Sequence, residues 1–221
     1  MPDIIKSVHT GGVGEIIEKK SRFIATVWPI DSEETALLQI EAARKKYWDA
    51  SHNCYAYVLG FKDEIQRCSD DGEPAKTAGR PILDIIIGEQ IHNVLIIVTR
   101  YFGGTLLGTG GLVRAYQDAA KEGLKESVII EKIPGKKAFL TTDYTCLGKL
   151  QYLIGGHGVH ILDSNYADSV TLHLLIPNEI YNEFSALILD TTGGKVILNH
   201  EEDLYYAKVS GEIMLFDRTT A

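Results

Sequence analysis

"TRYFGGTLLGTGGLVRAYQDAA", Thr99 to Ala120, is the stretch that leaves the fewest folds open. "NVLIIVTRYF" leading into it has the length and β-branching of a buried strand. "GLVRAYQDAAKEGLKES" after it lines Leu112, Ala115, Tyr116, Ala119, Ala120 and Leu124 along one helical face. Strand, glycine loop, helix is an arrangement that offers free backbone N–H groups and the positive end of a helix to an anion. Yet Gly103, Gly104, Gly108, Gly110 and Gly111 fit neither familiar phosphate template. There is no GxxxxGKS or GxxxxGKT, and G-x-G-x-x-G cannot be laid on them. One reading is that the glycines serve positive φ or close backbone packing. Another is that Arg100, at the strand's end, and Arg114, one turn into the helix, converge on a phosphate or carboxylate. A third pairs these arginines with Asp70, Asp71 or Glu73.

Those acids lie in "SDDGEPAKTAGRP", Ser69 to Pro81, a polar loop punctuated by Gly and Pro and expected outside the core. Three carboxylates within four residues invite a Mg²⁺ reading, but Asp-Gly and Glu-Pro are also ordinary turn chemistry. No metal site is assigned. His52 alone among the seven histidines precedes a strand beside an asparagine, in "SHNCYAY", and a lone histidine is more often structural than a base. No serine sits in a G-x-S-x-G elbow, Cys54 and Cys68 have no adjacent partner that marks a nucleophile, and no catalytic residue or cofactor is assigned.

Around these loops, "GEIIEKKSRFIATVWPI" reads as two strands broken near Lys20-Ser21, and a helix capped by Asp31 or Ser32 follows. "NCYAYVLGF" and "EIQRCSDDG" read as strands, and "ILDIIIGEQ" as a helix that Thr77 and Pro81 start. From about Val128 the order becomes strand, helix, strand, strand, helix, strand, the ferredoxin-like βαββαβ order of an antiparallel sheet carrying two helices. The chain is therefore expected to be α+β, with an N-terminal α/β two-layer domain over 1–130, a linker over 131–137 and a ferredoxin-like C-terminal domain over 138–221.

At 221 residues there is enough apolar content for real cores, and a formal net charge of -8 argues against a surface coated for duplex DNA. No apolar run approaches a membrane span and the N-terminus does not resemble a signal peptide. Three scattered cysteines suggest neither a disulfide framework nor a zinc site. A cytoplasmic protein without membrane contact is expected.

Taken together, "SHNCYAYVLG", "CSDDGEPAKTAGRPIL" and "VTRYFGGTLLGTGGLVRAY" resemble the YigZ/Impact family, with the second half similar to the C-terminal domain of bacterial members. The resemblance implies an N-terminal domain similar to domain IV of elongation factor G and to GHMP kinases, and a C-terminal domain similar to domain V of that factor. It also implies RNA or the ribosome as partner, and a role in translational control, where eukaryotic relatives also engage a protein partner. Ser69 to Pro74, Thr77 to Pro81, Arg100 to Gly104 and Leu107 to Tyr116 match the family pattern. Lys76 departs from it, standing where relatives often carry glycine, which puts a tight turn there in doubt.

Two functions follow as expectations. In the first, a non-enzymatic protein binds RNA phosphates or a ribosomal partner through Lys76, Arg80, Arg100 and Arg114, interleaved with Tyr101, Phe102 and Tyr116. The cleft is walled by the glycine loop and by Ser69, Asp70, Asp71, Gly72, Glu73, Pro74 and Thr77. In the second, an enzyme holds a phosphorylated or acidic substrate on the glycine loop, with Asp70, Asp71 or Glu73 as base or Mg²⁺ ligand.

Overall fold

Successive side chains of a strand point to opposite faces, so an unbroken apolar run buries both faces of a sheet, and one such run organises the first half of the chain. The structure, a computed structural model, describes residues 4–217 and divides into two units, Ile4–Glu131 and the chain from Lys132 onward.

In the first unit β1 (Ile5–Thr10) runs parallel to the short β6 (Ile91–His92). A five-stranded antiparallel sheet is formed by β2 (Val13–Glu18), β3 (Ser21–Pro29), β4 (His52–Leu59), β5 (Ile65–Ser69) and β7 (Val94–Tyr101), in the order β2-β3-β7-β4-β5. Along β7 the alternation divides the core. Val94, Ile96 and Val98 pack with Phe23, Ala25, Cys54 and Ala56 under α2 (Gly79–Gly88) and α3 (Thr109–Lys125), whereas Leu95 and Ile97 face Ala36 and Ile40 of α1 (Glu33–Lys46). The central strand is thus covered on both sides.

The expected elements form where the local chemistry favours them. Ser32 caps α1, its hydroxyl accepting the Thr35 N–H, and Glu33 and Glu34 open the helix while Arg44, Lys45 and Lys46 close it. The break near Lys20-Ser21 is a two-residue turn in which Lys19 and Lys20 both take positive φ, 45° and 69°. β1 and β6 went unread because short, mixed segments carry little periodicity.

Residues 131–137, expected as a linker, are strand: β8 runs from Val128 to Thr142 and Gly135 pairs with Leu204 on one side and Pro177 on the other. "IPG" punctuates turns in isolation, but Pro134 lies within the β8 to β11 ladder opposite Tyr205. The rest of the second unit is α4 (Tyr144–Gly156), β9 (His160–Tyr166), β10 (Val170–Pro177), a 3₁₀ turn at Asn178–Ile180, α5 (Tyr181–Thr191), β11 (Asn199–Val209) and β12 (Glu212–Asp217). Its antiparallel strands lie in the order β9-β10-β8-β11-β12, and Leu140, Leu172 and Leu174 pack against Leu150, Ile154, Phe184 and Ile188 of the two helices. The expected run of strand, helix, strand, strand, helix, strand is present, followed by one further strand. Among the described residues no helix is long and apolar enough to cross a membrane.

Candidate functional site

The loop between β5 and α2 is held by Asp70. Its Oδ1 accepts the N–H groups of Ala78 and Gly79 at 3.0 and 2.9 Å, and its Oδ2 that of Lys76 at 2.8 Å. Since Ala78 lacks a side-chain cap, Asp70 supplies from a distance the carboxylate that a helix start favours. Asp71 faces elsewhere, accepting the Asn53 N–H at 2.6 Å with Arg44 3.3 Å away. Ser69 accepts the Asp71 N–H, and Thr77 donates its hydroxyl to the Pro74 carbonyl. The acids therefore have separate partners, and no cluster suited to a metal ion occurs among the described residues.

Two expectations for this loop change. Glu73, Thr77, Ala78 and Gly79 are buried, contrary to a loop outside the core, because their polar groups are satisfied internally. The tight turn at Lys76 does form: Lys76 adopts a left-handed φ of 64° with its side chain exposed, held by its N–H bond to Asp70.

Glu73 meets Arg100, the third of the readings open for that arginine. Nη1 of Arg100 lies 2.5 Å from Oε1 of Glu73, with the side chains 6% and 3% exposed. The Tyr116 hydroxyl donates to the same Oε1 at 2.9 Å and receives the Cys54 thiol at 3.3 Å. Burial pushes both the Cys54 thiol and the Tyr116 phenol well above their ordinary values. Tyr116, expected to stack on bases, is fully buried with its ring edge-on to Phe23, so it is a core residue. The Arg100 guanidinium lies beside the rings of Phe23 and Phe102, and its Nε has no partner among the described residues.

Above this pair opens a cleft of about 570 Å³. Its floor is His52, Glu73 and Arg100, one wall is Gly72 and Pro74, and the other is formed by Phe102, Leu106 and Leu107 with Gly108, Thr109 and Leu112 at the start of α3. Gly108, at φ 74°, precedes α3 with no side-chain cap, so the first N–H groups of that helix lie beside the cleft. His52 is fixed by Nδ1 donating to the Asp71 carbonyl at 2.8 Å, which leaves Nε2 of the neutral ring as an acceptor, 3.9 Å from Glu73 Oε1. The acidic loop and the glycine loop thus line one cleft, together with His52. A lone histidine in sequence gave no sign of this beyond its place at the head of β4.

The remaining expected residues separate. Arg114 lines a different, smaller cavity with Lys19, Glu18 and Asp118, and Leu107 stands between the two. Arg100 and Arg114 therefore do not converge, because one ends a central strand and the other points from the opposite side of the loop. Arg80 pairs with Asp84 at 2.8 Å, and Tyr101 donates to Asp49. Gly103 packs against the Lys20 backbone, leaving no room for a side chain, while its N–H reaches Ser21 Oγ at 3.1 Å. Gly104 turns at φ 82°, and Gly110 and Gly111 lie in the first turn of α3. Sequence reasoning passed over Lys19 and Lys20, whose turn the Gly103 contact sets against the glycine loop.

Comparisons with known proteins bear on both units. Residues 19–124 match the Impact N-terminal domain, and 140–195 match a domain of unknown function, DUF1949. IMPACT family member YvyE of Bacillus subtilis is 35% identical over 94% of this chain and 95% of its own. IMPACT family member YigZ of Escherichia coli is 38% identical over 81% of this chain and 89% of its own. The mouse Protein IMPACT is 37% identical over 42% of this chain and 30% of its own. A crystal structure titled as that of a hypothetical protein superposes with a TM-score of 0.57 at 33% identity, covering 90% of this chain and 98% of the other.

Proposed function

This chain belongs to the Impact family, and from that premise we propose a non-enzymatic protein that binds RNA or the ribosome in the regulation of translation, in the cytoplasm. One observation carries the reading: the Lys19-Lys20 turn packs on the glycine loop and brings Lys19 beside Arg114, which has no ion pair among the described residues. Lys19 and Arg114 on one side of Leu107, with the half-exposed Phe102 ring and the exposed Leu106 in the cleft on its other side, are suited to phosphate contact together with stacking. Glu18 and Asp118 in the same wall limit how strongly the site attracts polyanions, which favours a shaped partner over any nucleic acid. On this reading the N-terminal unit is comparable to domain IV of elongation factor G and the C-terminal unit is ferredoxin-like.

Ribosome co-sedimentation and filter binding of single-stranded RNA, each at low and at moderate salt, test it. Association that weakens with salt, and is lost in the triple variant Lys19→Ala, Lys20→Ala, Arg114→Ala, is the expected result. No association of the unaltered protein even at low salt overturns it.

A second reading, an enzyme of a small acidic substrate, draws on one observation, the Nε2 lone pair of His52 at the floor of the cleft beside the Glu73 carboxylate. Turnover of a phosphorylated or acidic metabolite that His52→Ala abolishes would favour it over binding alone.

A further inference from the structure

We propose that the 570 Å³ cleft is a nucleotide subsite that takes one unpaired base bearing an exocyclic amino group, resting on the RNA-binding reading above. The volume lies within the usual range of small-ligand sites and leaves space for a base and its ribose. The selectivity comes from the floor. In the neutral ring His52 Nε2 is an acceptor, because Nδ1 is committed to the Asp71 carbonyl. Glu73 accepts Arg100 and Tyr116 on Oε1, and no hydrogen bond to Oε2 occurs among the described residues. A floor that presents two acceptors calls for a ligand edge rich in N–H donors.

Adenine and cytosine offer an amino group, as does guanine beside its ring N–H. Uracil offers one N–H between two carbonyl oxygens, and those oxygens would face the Glu73 carboxylate. The side wall supplies the rest. Phe102 is 50% exposed and lines the cleft, in position to stack a base, and Leu112 and Leu107 close the apolar contact. Past Leu107 lie Lys19 and Arg114, so a strand whose base enters the cleft carries its neighbouring phosphate toward those cations. The uncapped N–H groups at the start of α3 provide a further anion contact at the rim.

Fluorescence anisotropy of the full chain with labelled short oligo(A), oligo(C) and oligo(U), paired with NMR titration by AMP, CMP and UMP, tests the subsite. Oligo(A) and oligo(C) are expected to bind about tenfold more tightly than oligo(U). Phe102→Ala should weaken oligo(A) about tenfold, and His52→Ala should narrow the preference for oligo(A) and oligo(C) over oligo(U). Equal affinity for all three oligomers, weakened by Lys19→Ala with Arg114→Ala but not by Phe102→Ala, overturns the subsite and leaves the RNA reading standing. If no oligomer binds but AMP and CMP shift cleft resonances and UMP does not, the subsite stands for free nucleotides and the RNA reading falls. Silence toward both kinds of probe overturns both.

Discussion

Nη1 of Arg100 lies 2.5 Å from Oε1 of Glu73 where both side chains are almost wholly buried, and the Tyr116 hydroxyl shares the carboxylate. A buried pair of this kind contributes little net stability relative to apolar residues, but removing one member strands the other charge. Arg100→Ala or Glu73→Ala is therefore expected to destabilise the first unit by about 3–5 kcal/mol, with the double variant Glu73→Leu, Arg100→Met recovering most of it. Both tryptophans of the chain, Trp28 and Trp48, lie in that unit, so urea unfolding followed by tryptophan fluorescence reads it selectively. A double-variant loss equal to the sum of the two single losses would show that the pair is not coupled.

Lys76 occupies left-handed backbone, at φ 64°, with no contact that needs its side chain: its backbone N–H alone reaches Asp70. That conformation costs a non-glycine residue about 1–2 kcal/mol, part of which glycine gives back through the freedom of its unfolded chain. Lys76→Gly should raise stability by about 1 kcal/mol, seen as a higher urea midpoint with an unchanged slope. Loss of stability would mean that the Lys76 ammonium makes a contribution the geometry does not reveal.

What could be read from the chain, and what could not, divides by the range of the interactions. A cap at Asp31 or Ser32, the apolar, β-branched run of β7 and the apolar face of α3 are written within a few neighbouring residues, and each was legible. The Glu73 to Arg100 pair spans 27 positions, and the Gly103 contact with Lys20 spans more than 80; no local pattern encodes either. Hence the two loops were foreseeable as walls, whereas the burial of Tyr116, the separation of Arg114 from Arg100 and the arrival of His52 and Lys19 were not. The strand conformation of 131–137 was hidden for a related reason: Pro134 and Gly135 punctuate a turn locally, but strands far along the chain pair on both sides of them.

Gly103 and Gly104 adjoin in sequence but answer to different constraints. A Cβ on Gly103 would collide with the Lys20 backbone, while one on Gly104 would meet nothing within 4 Å and face only the strain of φ 82°. Gly104→Ala should cost about 1 kcal/mol. Gly103→Ala should cost more than twice that, because backbone on both sides must move, and it should also shift Lys20 away from the loop. Urea midpoints of the two variants test the ranking, and a smaller loss for Gly103→Ala than for Gly104→Ala contradicts it.

At alkaline pH the tyrosines should separate. Burial, followed by the hydrogen bond to Glu33, pushes Tyr57 up to about 12, and burial pushes Tyr116 up further. A phenol whose folded value is raised stabilises the folded state fully below the unfolded value near pH 10, and that stability is lost as pH rises through the folded value. The unit should therefore weaken from about pH 10 to 12, and Tyr116 should ionise only as it unfolds. Absorbance at the tyrosinate band, recorded beside tryptophan fluorescence, should show a late step coincident with unfolding. Tyr57→Phe should reduce the fall in stability between those limits, because it removes the phenol whose proton the Glu33 carboxylate holds. If the decline is as steep in Tyr57→Phe as in the unaltered protein, the raised value at Tyr57 is not what destabilises the unit.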